Sequence, residues 1–159
     1  MAQQLVFGEF TRKLDERYRL SLPPEFVETM FADAHDAVLV KEQTGALSIW
    51  NAPAWQKRYT EDLALLEQKF ASGRLEQRRH DLQTLGRLLS TRHREVNLAG
   101  RARVLVPEGF REFLGAEPGD DVVLVGAAVC IEVWRKDAWQ AHLQATIPDF
   151  TRLLESLTT

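Results

Sequence analysis

Apolar positions fall in short bursts at both ends of the chain and in helical periods between them. Leu20-Ser21-Leu22 and Val104-Leu105-Val106 each read as a short strand, and a proline ends each one. Pro23-Pro24 and Pro107 suit the first turn of a helix, where a missing N–H costs nothing. The spacing predicts helices over 25–31, with Phe26, Val27 and Met30 inward, and over 108–114, with Phe110, Phe113 and Leu114 inward. Gly115 then supplies a C-terminal stop. Two strands close each half, 37–40 with 47–50 and 121–125 with 130–134. Gln43-Thr44-Gly45 and Gly126-Ala127-Ala128 are the hairpin connections. A helix starts at Pro53 and another at Asp137, and Trp55 and Trp139 are expected to pack in the core on the preceding strand. Between the halves, helical spacing runs through 53–70 and 74–90 with Gly73 at the turn, and 148–157 reads as a short amphipathic helix.

The two halves are copies. Residues 14–56 recur at 98–140, displaced by 84 positions without a gap, and 13 of the 43 aligned positions are identical. Ordinary composition gives roughly two or three by chance. The identities include Leu14/Leu98, Arg17/Arg101, Arg19/Arg103, Pro23/Pro107, Phe26/Phe110, Val38/Val122, Trp50/Trp134 and Trp55/Trp139. A sheet unit this small has exposed edges and is not expected to be stable alone. The expected fold is therefore α+β. Two pseudo-twofold-related β units interleave into one barrel-like domain, with helical insertions. The units span 7–53 and 92–137, a helical connection fills 54–91, and C-terminal helices fill 138–159, all in one composite domain.

Composition narrows the class. At 159 residues, 45% apolar and 27% charged, the chain has material for a core and is not globally disordered. No apolar run reaches the length of a bilayer span, and the stretch MAQQLVFGEF lacks the basic-then-apolar order of a leader. The single Cys130 excludes an intrachain disulfide and a thiolate zinc cluster. The expectation is a cytoplasmic protein without a membrane partner. The net charge of −3 hides a division, with +5 over residues 74–103 and −5 over 104–159. The central basic run reads either as a solvated helix face or as a local nucleic-acid patch.

Catalytic chemistry is not indicated. His35, His80, His93 and His142 form no metal-ligand spacing, and no phosphate loop or nucleophile elbow appears. The expected protein is not an enzyme and uses no cofactor or metal.

The informative residues are in the basic turns. Asp15-Glu16-Arg17-Tyr18-Arg19 leads into the first short strand, and Ala99-Gly100-Arg101-Ala102-Arg103 leads into the second. Arg17 and Arg19 have alternate spacing and can project to one side. An arginine fork reads guanine O6 and N7 in the major groove, and Asp15 could orient Arg19 or accept from a cytosine amine. An ordinary surface ion pair is the plainer alternative.

Gly8-Glu9-Phe10-x-x-x-Leu14-Asp15-x-Arg17-x-Arg19-Leu20-x-Leu22-Pro23, repeated as Leu98-x-x-Arg101-x-Arg103-Val104-x-Val106-Pro107, resembles the MraZ family of bacterial transcriptional regulators. So do Val122-Val123-Leu124-Val125-Gly126 and Glu132-Val133-Trp134-x-x-x-Ala138-Trp139, and the resemblance covers roughly residues 7–145. It implies two swapped-hairpin, AbrB-like units and a ring-shaped homo-oligomer. It also implies binding to double-stranded DNA at promoter repeats of the protein's own division and cell-wall gene cluster, and hence association with the nucleoid. Carried over by position, the DNA-contacting motif gives Asp15, Arg17 and Arg19, then Arg101 and Arg103. Ala99 stands where the family has aspartate, and Tyr18 and Ala102 replace its turn glycine. A turn that needs positive φ carries strain with tyrosine there.

The leading expectation is a sequence-specific DNA-binding regulator. In it Arg17 and Arg19 contact base edges, Asp15 sets their geometry, and Arg101 and Arg103 serve phosphates or a second half-site. Arg12 and Lys13 add backbone contacts. The alternative is a protein-interaction or antitoxin-like module on the same fold.

Overall fold

The computed structural model describes residues 4–32, 36–98 and 102–159. In chain order the elements are β1 (Val6–Lys13), β2 (Arg19–Ser21), α1 (Pro24–Met30), β3 (Asp36–Gln43), β4 (Ala46–Asn51), α2 (Ala52–Ala71), α3 (Arg79–Arg92), β5 (His93–Asn97), β6 (Arg103–Leu105), α4 (Phe110–Leu114), β7 (Asp121–Ala128), β8 (Ile131–Arg135), α5 (Lys136–Thr146) and α6 (Phe150–Thr158). The fold is α+β. A six-stranded antiparallel sheet runs β1-β7-β8-β4-β3-β5, and β2 pairs with β6 in a separate two-stranded ribbon. The large sheet is open, with β1 and β5 as its edges, so the expected barrel-like closure is not formed among the described residues.

Strand alternation sorts the side chains into two layers. Leu39, Leu47, Ile49, Val122, Leu124, Ile131 and Val133 face one side. There they meet Leu20, Leu22, Val104 and Val106 of the ribbon segments, Phe26 and Met30 of α1, and Phe110 and Leu114 of α4. On the other side, Val38 and Val40 meet Ala52 and Trp55 of α2, while Ala46, Val123 and Trp134 meet Ala138 and Trp139 of α5. The ribbon and the long helices are thus on opposite faces of the sheet. The tryptophans pack on their preceding strands as expected. Trp55 also stacks on Tyr59 at 4.7 Å and meets His93 at 4.5 Å, and Trp134 meets His142 at 4.7 Å.

The registers obey the internal repeat. Leu47↔Val133 and Ile49↔Ile131 in the β4–β8 pair exchange under the displacement of 84, as do Arg19↔Leu105 and Ser21↔Arg103 in the ribbon. A local dyad therefore passes through Ser48↔Glu132 and through Leu20↔Val104. At the first of these, the Ser48 hydroxyl donates to Glu42 Oε1 at 2.6 Å and accepts from Trp50 Nε1, while Glu132 Oε1 accepts from Trp134 Nε1. Burial pushes the Glu132 carboxyl above its usual range.

Two expectations are corrected. The repeat is gapless in sequence but not in space. Leu39 occupies the core position of Leu124, one residue out of phase with the alignment, and a β-bulge between Lys41 and Gln43 absorbs the difference. Gly126 is not a hairpin residue. It lies within β7, where an added Cβ would sit 2.6 Å from the Phe7 backbone, so its role is to admit the edge strand β1; the turn is formed by Ala128 and Val129 instead. The strands β1 and β5 carry no alternation that predicts them, because as mostly exposed edges they offer few apolar positions.

Candidate nucleic-acid interface

The first basic turn is built around one carboxylate. Asp15 Oδ1 accepts from the amide of Arg17 at 2.8 Å and from the amide of Arg19 at 2.9 Å, and Oδ2 accepts from Arg19 Nε at 3.2 Å. The Tyr18 amide closes the turn onto the Asp15 carbonyl, and the Asp15 amide donates to the Arg19 carbonyl. The amide of Arg19, followed by that of Arg17 and the Arg19 guanidinium, holds the Asp15 carboxyl below its usual value against a desolvation that raises it. Asp15 is thereby used inside the turn, as an Asx-type organiser.

Tyr18 takes a φ of 59° and Ala102 a φ of 54°, the left-handed region expected from the missing glycine. The positive φ also interrupts the pleat between Arg17 and Arg19. Arg17 is therefore at the exposed tip of the turn, and Arg19 begins the strand. The Tyr18 side chain is tied to the second repeat. Its hydroxyl donates to Glu117 Oε2 at 3.2 Å, and the Arg111 guanidinium lies 4.0 Å from its ring centroid. Burial, then acceptance by Glu117, pushes that hydroxyl above its usual range. Leu14 fixes the base of the turn, since its amide donates to the Asp120 carbonyl and its own carbonyl accepts from Gly119.

The ribbon places these groups. Leu20 and Val104 are fully buried on its inner face, so alternation sends Arg19, Ser21, Arg103 and Leu105 outward. Arg19 and Arg103 stand diagonally across the dyad, a separation of about 7–8 Å on a two-stranded sheet. The Arg19 guanidinium meets Asp15 through Nε, so the carboxylate orients it from within the turn. A two-stranded ribbon is one of the elements that the major groove admits. Arg101, with Ala99 and Gly100, lies outside the described residues. Lys13 pairs with Asp121 at 3.1 Å, and the Arg12 guanidinium lies 5.5 Å from the Phe10 ring.

The arginines of α3 are on the helical side of the sheet, away from the ribbon. Arg92 pairs with Glu42, and Arg78, the residue just before α3, pairs with Asp81. Among the described residues there is no metal-ligand cluster and no helix long and apolar enough to cross a membrane.

A family model described as "MraZ protein, putative antitoxin-like" matches residues 89–155. The "Transcriptional regulator MraZ" of Clostridium acetobutylicum is 24% identical over 153 residues, covering 96% of each chain. That of Dehalococcoides mccartyi is 26% identical over 155 residues, covering 96% of this chain and 98% of its own. That of Solidesulfovibrio magneticus is 28% identical over 152 residues, covering 94% and 92%. The chain is thus similar to the MraZ family, through the family model over its second half and through these regulators over nearly its whole length. The family model covers β5 through most of α6 and thus includes the second basic turn, whereas the relatives align across both turns.

Sequence reasoning identified the two turns and their arginines but missed Ser21 and Leu105 on the same outward face. The signal was available in the alternation of β2 and β6, but only pairing the two strands puts the four side chains together.

Proposed function

We propose that this chain is a sequence-specific DNA-binding transcription regulator of the MraZ type that sets the β2–β6 ribbon into the major groove. One observation carries the reading: Arg19 and Arg103 project from the same exposed face of a groove-sized ribbon, and Asp15 pre-orders the turn that aims the first of them. Arg17 and Arg19 contact base edges, Asp15 fixes their geometry, and Arg101 and Arg103 serve phosphates or a second half-site. Arg12 and Lys13 make weaker backbone contacts, since Lys13 already has Asp121 as a partner. No catalytic step and no cofactor are involved. The names of the relatives support the regulatory role.

The targets are promoter repeats of its own division and cell-wall gene cluster, reached in the cytoplasm at the nucleoid. Residues 7–53 and 92–137 act as two AbrB-like swapped-hairpin units of one composite domain, with 54–91 and 138–159 as its helical additions. A ring of copies multiplies modest single-subunit contacts over spaced sites through effective concentration. The ribbon and the long helices face opposite sides of the sheet, which leaves the helices available for assembly while DNA is held.

The test is selection of bound duplexes from a random pool at low and near-physiological salt, with Arg19→Ala as control. Enrichment of short, evenly spaced, guanine-containing repeats that is lost in the variant is the expected result. No enrichment from folded protein overturns the reading. A protein-interaction module of antitoxin type is the second reading. It is favoured by α6, whose Phe150, Leu153, Leu154 and Leu157 stand exposed, and by the antitoxin-like character ascribed to the matching family.

A further inference from the structure

The outward face of the ribbon carries one apolar side chain. Leu105 is 44% exposed, while its neighbours across and along the ribbon, Leu20 and Val104, are fully buried. It stands directly opposite Arg19. The Leu22 amide donates to the Ala102 carbonyl and the Val106 amide to the Tyr18 carbonyl. The alternation from those two bonds makes Arg19↔Leu105 a non-hydrogen-bonded pair, the kind whose side chains approach most closely. Their Cβ atoms are about 4.5–5.5 Å apart, against about 3.4 Å between stacked bases along a strand. The two side chains can therefore touch neighbouring base pairs at the same time.

A major groove offers one exposed apolar group to such a side chain, the 5-methyl of thymine. We propose that Leu105 is a specificity-determining residue that packs on a thymine 5-methyl beside the guanine read by Arg19. This rests on the ribbon reading above. The dyad equivalent of Leu105 is Ser21, which can bond to any base edge and has no apolar surface to offer. The two ends of the ribbon therefore differ, Arg–Leu at one and Arg–Ser at the other. That difference gives the subunit a direction on DNA which its near-dyad backbone would not.

The experiment takes the selected duplex and replaces each thymine in turn by deoxyuridine, which lacks the methyl and keeps every hydrogen-bonding group. Affinities are measured for the unaltered protein, Leu105→Ala, Leu105→Met and Ser21→Ala. One thymine is expected to be sensitive, with a loss of about fourfold on its replacement, the worth of one buried methyl-sized group. Leu105→Ala should lose a similar factor on the thymine duplex and nothing further on deoxyuridine. Leu105→Met should keep the sensitivity, and Ser21→Ala should leave it unchanged. Equal deoxyuridine losses in the unaltered protein and Leu105→Ala overturn the assignment, and so does insensitivity at every thymine while guanine dependence persists. If Arg19→Ala and guanine replacement are also without effect, the ribbon reading itself has failed, and the assignment falls with it.

Discussion

At Tyr18 and Ala102 the chain makes the same left-handed turn, with φ of 59° and 54°, but what holds the turn differs between the two repeats. In the first, the Asp15 carboxylate gathers two amides and a guanidinium, and Tyr18 is clasped by Glu117 and Arg111 of the other repeat. In the second, Ala99 supplies no carboxylate and Ala102 supplies no side chain beyond a methyl. Both repeats continue into ribbon strands that pair symmetrically about Leu20↔Val104. Backbone symmetry has thus been kept in the ribbon, while the carboxylate and the phenol that anchor the first turn have no counterpart in the sequence of the second. The lesson is that a duplicated fold can keep its frame through strand register while one copy of the site is pre-ordered by its own side chains.

The largest expected effect is on DNA. Arg19→Ala should cost about 1–3 kcal/mol of discrimination between the right and wrong base, measured by competition between duplexes. Arg103→Ala should weaken all sequences evenly and reduce the salt slope by about one. Equal, sequence-dependent losses at both arginines would break the comparison. Arg87→Ala, on the helical side of the sheet, should change affinity less than either. Restoring the missing acid with Ala99→Asp should make the second turn resemble the first, seen as tighter binding or as new base preference in a repeated selection.

A smaller effect concerns folding. Ala102→Gly relieves a left-handed strain of about 1–2 kcal/mol, offset by about 0.4–1 kcal/mol of added unfolded-state freedom. The result should be a modest rise in the denaturant midpoint. Tyr18→Gly relieves the same strain but gives up the Glu117 and Arg111 contacts, so it should gain less or lose. A larger gain at Tyr18 than at Ala102 would show that the clasp contributes nothing.

The smallest effect is on pH dependence. The Asp15 carboxyl is held below its ordinary value of 3.8, so its contribution is fully present above that value. It is lost as pH falls through the depressed folded value. The thermal midpoint gap between the unaltered protein and Asp15→Asn should therefore be widest near neutrality and close below 3.8. A gap that widens in acid would mean that the carboxylate is not stabilised by the turn.

Much of the frame was legible in the chain. Pro24 opens α1 and Pro53 lies in the first turn of α2, Gly115 ends α4 in the left-handed region, and the tryptophans pack where their strands end, because these features depend on local backbone preference and apolar period. The repeat announced the symmetry, and the turn arginines announced the candidate site. Tertiary structure decided what local preference cannot. It recruited the weakly patterned β1 and β5 as edges, because only a partner strand gives them a reason to extend. It shifted β3 by one residue through a bulge, because a strand's register is set by which face must be buried and not by alignment. It left the large sheet open and made the ribbon a separate element, so that Arg19, Ser21, Arg103 and Leu105, far apart in sequence, share one exposed face. Local sequence fixes conformation over a few residues, whereas that shared face exists only once two distant strands have paired.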